Sequence, residues 1–196
     1  MSLYHDVIEA LTPLVEAFER LGIVYYIGGS VSSSLHGMAR RTQDVDLIAD
    51  LQPNQVRLLA RALQSDYYLD EQAWQDAVRR GLPYNVIHLN TMMKVDLIPL
   101  KQRAYSREEA RRAQTQILEA GTRPVRVASA EDAILTKLEW FVMGGGSSGR
   151  QWNDILGILK RQGAALDLGY LARWADALGV RDQLERALVE AGLKQP

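Results

Sequence analysis

The sequence contains no cysteine. That excludes disulfide scaffolds, thiol nucleophiles and every zinc finger or ribbon built on thiolates, and it leaves the redox compartment open. Histidine is nearly as scarce: His5, His36 and His88 are the three present, without metal-ligand spacing and without an HExxH helix. Neither sign of charge dominates. Lys+Arg 23 against Asp+Glu 24 leaves a net charge of −1, so bulk charge gives no general affinity for polyanions. Long apolar runs are missing too. The longest stretch without a formal charge, Leu21 to Ala39, spans 19 residues but holds four glycines, four serines and a histidine. It is too polar to cross a bilayer. Asp6 and Glu9 stand where a signal peptide would have its basic n-region, so a cytoplasmic protein without a membrane segment is expected.

What is present suits a globular protein. A chain of 196 residues with 47% hydrophobic content can bury a proper core, as one domain or a domain with a helical appendage. Tyr4 to Leu21 has apolar residues at spacings of three and four (Val7, Leu11, Leu14, Val15, Phe18), which predicts an amphipathic helix stopped by Gly22. Ile23 to Ile27 is short, β-branched and aromatic, hence a buried strand. Gly28-Gly29 turns the chain, and Ser30 to His36 has the small residues of a tightly packed helix start. Asp44 to Ala49 alternates as a strand, and Pro53 opens a helix to about Leu63. Tyr84 to Leu89 and Met93 to Ile98 read as two more strands around an Asn90-Thr91 turn.

After Pro99 the character changes. Residues 1–100 carry eight basic and twelve acidic groups, whereas residues 101–126 carry seven basic and three acidic ones. Val125 to Ala128 reads as a last strand. Ser129 then fits a helix N-cap, with Glu131 and Asp132 in the first turn complementing the macrodipole. Arg150 to Arg161, Leu168 to Leu178 and Arg181 to Ala191 follow as shorter helices. The expected fold is therefore α+β: a small mixed sheet flanked by helices over residues 1–128, then a C-terminal helical region over 129–196.

Chemistry concentrates in Ile27-Gly28-Gly29-Ser30 and, after thirteen intervening residues, in Asp44-Val45-Asp46-Leu47-Ile48. A strand, two glycines and a helix start make an anion site, because glycine permits close backbone approach and free amides point out of the helix N-terminus. Asp44 and Asp46 are two apart on a strand, so both carboxylates leave one face. Such a pair is costly without a cation, and hard oxygen ligands suit Mg²⁺. Lys94-Val95-Asp96-Leu97-Ile98 alternates in the same way. If the two strands are neighbours, Asp44, Asp46 and Asp96 converge, and three carboxylates can hold two metals ~3.5–4 Å apart for in-line displacement at phosphorus. Facing a glycine-lined phosphate cradle, such a clamp means phosphoryl or nucleotidyl transfer.

Gly29-Ser30, Asp44-x-Asp46 and the later Asp96 resemble the polymerase β-like nucleotidyltransferase superfamily. The wider stretch Ile27 to Ser30, His36-Gly37 and Arg40 to Leu47 is most similar to its minimal branch, which includes abortive-infection type II toxin-like nucleotidyltransferases. Ser129-x-Glu131-Asp132, Lys137-Leu138, Arg150 and Asp154-Ile155 resemble the helical segment that follows the catalytic domain there. The resemblance covers roughly residues 23–160. It implies that Gly28, Gly29 and Ser30 cradle the phosphates of an NTP, and that Asp44 and Asp46 bind two Mg²⁺ ions. Asp96 would bind one metal and orient or deprotonate an acceptor hydroxyl. Lys137 would contact the triphosphate, and Asp154 would position that lysine or read the base.

Plainer roles stand beside these. Gly28-Gly29 fits a simple strand-to-helix turn with Ser30 as its cap, Lys137 an ion-pair partner, and Asp154 a structural acid. Gly144 to Gly149 satisfies the glycine spacing of a P-loop, but Arg150 and Gln151 replace its Lys and Ser/Thr, so it reads as a helix–helix linker. The basic residues Lys101, Arg103, Arg107, Arg111, Arg112, Arg123 and Arg126 could grip a polyanionic acceptor such as tRNA, although Glu108 and Glu109 offer local partners. Trp74, Trp140, Trp152 and Trp174 sit in helical patterns and are expected to pack. The activity so implied is Mg²⁺-dependent transfer of an NMP to a hydroxyl on a small molecule, a protein or an RNA. The rival is an inert nucleotide- and metal-binding module, for instance half of a toxin–antitoxin pair.

Overall fold

The computed structural model describes residues 4–195; Met1 to Leu3 and Pro196, the outer ends of the two expected segments, lie outside it. Among the described residues the chain divides into two compact units. One takes the residues up to Ser30 together with Arg41–Val127. The other takes Val31–Arg40 and everything from Ala128.

The first unit is built on a seven-stranded mixed sheet. Its strands are β1 (Tyr25–Ile27), β2 (Asp44–Ala49), β3 (Tyr67–Tyr68), β4 (Tyr84–His88), β5 (Lys94–Pro99), β6 (Gln114–Gln116) and β7 (Val125–Val127), in the order β3-β4-β5-β2-β1-β7-β6. At the centre β2 runs antiparallel to β1 and parallel to β5. The helices of this unit are α1 (His5–Arg20), α3 (Pro53–Leu63), α4 (Glu71–Arg79) and α5 (Ala104–Arg112). Strict alternation decides the two faces of β2. Val45, Leu47 and Ala49 are buried to 1% exposure or less, whereas Asp44, Asp46 and Ile48 are half-buried. Val95 and Leu97 of β5 lie on the same dry face. Each such buried Val or Leu contributes about 1.5–3 kcal/mol. A one-residue slip would place all of them in water and the acids in the core, so the register of β2 and β5 is strongly enforced.

One detail of this unit differs from the sequence expectation of an Asn90-Thr91 turn. The β4–β5 connection is a five-residue loop, Leu89 to Met93, in which the His88 amide donates to the Met93 carbonyl (2.9 Å) and Met92 is left-handed at φ 56°. The basic segment is largely engaged at home. Arg111 pairs with Glu108 (2.7 Å), Arg123 with Glu16 (3.1 Å), and Arg126 donates to the Ala110 carbonyl (2.8 Å).

The second unit is helical: α6 (Ala130–Met143), α7 (Gly149–Gln162), α8 (Leu168–Leu178) and α9 (Arg181–Glu190), joined by most of α2 (Gly29–His36). Ser129 caps α6 by accepting the Asp132 amide (3.1 Å). The Asp132 carboxylate in turn accepts the Tyr170 hydroxyl (2.6 Å), and Trp152 donates its indole proton to Glu190 (2.9 Å). Helix α2 packs through small side chains. Ser32, Ser33, Ser34 and His36 are all buried, and a Cβ on Gly37 would lie 2.9 Å from the Ile158 backbone nitrogen. The His36 ring donates from Nε2 to the Ala128 carbonyl (2.8 Å), while burial holds its pKa below the ordinary imidazole value. Gly144 to Ser148 link α6 to α7, with Gly145 and Gly146 left-handed. Trp74 and Trp152 are buried, but Trp140 is 51% exposed, because its position on α6 lies outside the stripe of Ile134, Leu138 and Phe141. No helix among the described residues is long and apolar enough to cross a membrane.

Candidate active site

The acids come together through strand register. In the parallel β2–β5 ladder Asp44 stands opposite Lys94 and Asp46 opposite Asp96. Residues opposite one another in register point to one face, and neighbouring strands are about 4.8 Å apart. Asp44, Asp46 and Asp96 therefore share the polar face of the sheet, with Lys94 among them.

Helix α2 begins at the same place. The Gly28 amide donates to the Asp46 carbonyl (2.9 Å), extending the β1–β2 ladder by one residue, and Gly29 then opens the helix at φ 51°. A Cβ on Gly29 would lie 1.6 Å from Asp46 Oδ2. The carboxylate thus rests against the first residue of α2, at the positive end of its dipole. Ser30 follows as its second residue. Two demands fall on Gly29 together, a left-handed backbone and bare Cα space. Gly81 is left-handed as well, at φ 64°, but faces open space. Replacing Gly81 with Ala is expected to cost about 1 kcal/mol, the backbone penalty alone, and Gly29→Ala roughly 2–4 kcal/mol. Urea unfolding of the two variants measures the difference, and equal losses would show that Asp46 does not crowd Gly29.

Each acid has a neighbour. The Thr42 hydroxyl lies 2.9 Å from both Oδ1 and the backbone carbonyl of Asp44. Lys94 Nζ reaches Asp96 Oδ2 at 2.8 Å. That hydrogen bond raises the Lys94 pKa above the ordinary lysine value; partial burial opposes it, and the charges of Asp96, Asp44 and Asp46 add to the rise. Neither Thr42 nor Lys94 is marked by its own sequence context. Only the position of Thr42 two residues before Asp44, and of Lys94 two residues before Asp96 on an alternating strand, hinted that they share the face.

Among the described residues no group of three or more His, Asp or Glu side chains is gathered tightly enough to hold a metal ion. The donor set still fits Mg²⁺, a hard cation that takes one or two carboxylates and fills its octahedron with water and substrate phosphates.

Lys137 and Asp154 belong to the second unit, where they find each other. Lys137 Nζ lies 2.8 Å from Asp154 Oδ2 and 3.2 Å from Gln151 Oε1. Arg40 approaches the same carboxylate at 3.2 Å, and the Ser33 hydroxyl lies 3.4 Å away. The side chains of Lys137 and Asp154 are only 8% and 11% exposed. Burial alone would raise the Asp154 carboxyl, but the hydrogen bonds and charges of Arg40 and Lys137 outweigh it and hold its pKa below the ordinary value.

By sequence the chain matches no protein-family model and no curated protein. By structure it resembles an antigenic nucleotidyltransferase-like protein from Paracoccidioides brasiliensis, with a TM-score of 0.55 at 19% identity over 94% of this chain and 93% of that one. The fold is nucleotidyltransferase-like. More distant likenesses, both at a TM-score of 0.44, are the lincomycin-bound lincosamide antibiotic adenylyltransferase LnuA and the antibiotic-resistance factor ANT(2'')-Ia. LnuA is 17% identical over 76% of this chain and 94% of that one, and ANT(2'')-Ia 16% over 87% and 94%. Within this nucleotidyltransferase-like fold, the acids occupy two adjacent parallel strands beside a glycine-started helix.

Proposed function

We propose that this chain is a cytoplasmic, Mg²⁺-dependent nucleotidyltransferase of the minimal branch, moving an NMP from an NTP to a hydroxyl acceptor with release of pyrophosphate. One observation carries the reading: Asp96 stands beside Asp46, on the face that also holds Asp44, at the start of the α2 helix. In the proposed reaction the acceptor oxygen bonds to the α-phosphorus as the bond to the β-phosphate bridging oxygen breaks, and pyrophosphate leaves. Asp96 orients the acceptor hydroxyl and takes its proton. Asp44 and Asp46 would hold the two Mg²⁺ ions, with Asp96 as a further ligand to one of them. When bound, Mg²⁺ supplies positive charge for the phosphate oxygens. Gly28, Gly29 and Ser30 offer their backbone to the phosphates at the helix N-terminus. Lys137 and Asp154 are proposed as a further nucleotide contact, the carboxylate fixing the ammonium. The acceptor hydroxyl belongs to a small molecule, a protein or an RNA.

Thermal melting with each NTP, with and without Mg²⁺, tests this without knowledge of the acceptor. A ligand at ~100 times its dissociation constant stabilises by about 2.7 kcal/mol. For a chain of this size the melting temperature is expected to rise by roughly 5–10 °C. The rise should require metal and nucleotide together. Identical melting temperatures in every condition would favour the inert module instead. A labelled NTP incubated with cell extract would then name the acceptor.

A further inference from the structure

Lys94 is the one cation that the β2–β5 register sets among the three acids, directly opposite Asp44 and two residues from Asp96. Its ammonium touches Asp96 Oδ2 at 2.8 Å, yet its side chain is 44% exposed, on a flexible four-carbon stem that can swing towards water. A divalent ion on this face and the Lys94 ammonium carry the same sign and compete for the charge of Asp96, whose Oδ2 the ammonium holds. We propose that Lys94 is a resident counter-cation of the acid face, bound to Asp96 in the metal-free protein and displaced by the incoming divalent ion. It thereby weakens metal binding in the absence of nucleotide. This rests on the reading of Asp44, Asp46 and Asp96 as metal ligands, and it adds how that site is held without metal. With Lys94 in place the face carries three negative charges and one positive; without it, the cation that touches Asp96 is gone and repulsion among the carboxylates grows.

The test uses Mn²⁺ alone, whose free concentration is read by electron paramagnetic resonance during titration with the full chain. Mn²⁺ shares the carboxylate and water preference of Mg²⁺. Lys94→Gln is expected to bind Mn²⁺ about three- to tenfold more tightly than the wild type at low salt, with the gap narrowing as ionic strength rises. In chelator the same variant should melt below the wild type, because its acids have lost their partner. Lys94→Arg keeps the charge and should stay within about twofold of the wild type. Asp46→Asn is the control that assigns the bound Mn²⁺ to this face. If Lys94→Gln binds Mn²⁺ equally or more weakly while Asp46→Asn abolishes binding, the counter-cation is overturned and the metal site stands. If neither the wild type nor Lys94→Gln shows Mn²⁺ binding that depends on Asp46, both are overturned.

Discussion

Asp46→Asn is expected to lower nucleotidyl transfer by about a thousandfold or more while the fold survives. The substitution removes one charge and almost no volume. Loss of a metal ligand costs several kcal/mol of barrier, and about 4 kcal/mol is a thousandfold in rate. Stability should move the other way. Asp46 faces Asp96 directly across the ladder, with Asp44 two residues along the same strand. Neutralising it relieves like-charge repulsion, so the metal-free variant should melt at or slightly above the wild-type temperature. Incorporation of labelled NMP, paired with a thermal melt, reads both effects. Near-wild-type transfer by Asp46→Asn would overturn the metal-dependent mechanism, whatever the melting temperature.

The second large effect belongs to the helical unit. Asp154→Ala should destabilise the protein by about 3–5 kcal/mol, a fall of roughly 6–20 °C in melting temperature. The cause is the pair of cations left behind, because Lys137 and Arg40 both converge on that carboxylate. A buried charge stripped of its partner costs far more than a pair removed together. The double change Asp154→Leu with Lys137→Met should therefore lose less than Asp154→Ala alone. A loss below about 1 kcal/mol for Asp154→Ala would show that the pair is solvated after all. Acid titration gives an independent check. The folded state holds the Asp154 carboxyl below its ordinary value of about 3.9, so the unfolded chain takes up the proton first as pH falls. Its stabilisation is complete above that value and is lost as pH drops through the lower folded one. In Asp154→Ala this part of the acid sensitivity should vanish.

Alternation made the centre of the sheet readable. Asp44–Ala49 emerges from its sequence with both ends correct, because one polar and one apolar face leave a single way to lie. The edges were not readable. Tyr67–Tyr68 and Gln114–Gln116 are too short to display a period, and only their neighbours β4 and β7 make them strands. The site divides in the same way. Gly29, Asp44 and Asp46 stand out locally, since a glycine before a helix and acids two apart are patterns of a few residues. That Lys94 would join them depends on which strands are neighbours, a relation between segments fifty residues apart that neither segment records. The grip of Lys137 and Arg40 on Asp154 is hidden for the same reason: it joins three segments, and each alone looks like an ordinary charged helix or loop. Trp140 misled because helical spacing says that a residue lies on a helix, not which stripe its neighbours cover.

The ten residues from Val31 to Arg40 are translated long before the helices that hold them. The Ser32 hydroxyl and the His36 ring both reach the Ala128 carbonyl, 96 and 92 positions downstream, and Arg161 reaches back to Gly37 across 124. On a ribosome adding ~5–20 residues per second, Val31 and the three serines wait on the order of 5–20 s for partners not yet made. During that interval the strand bearing Asp44 and Asp46 can pair with β1 and then β5. A nascent chain halted after Val127 would own every acid of the face, yet its α2 helix would have nothing to close against. Completion of α6 and α7 is thus the step that finishes the glycine-started helix, and these acids are translated earlier than the helix they serve is completed.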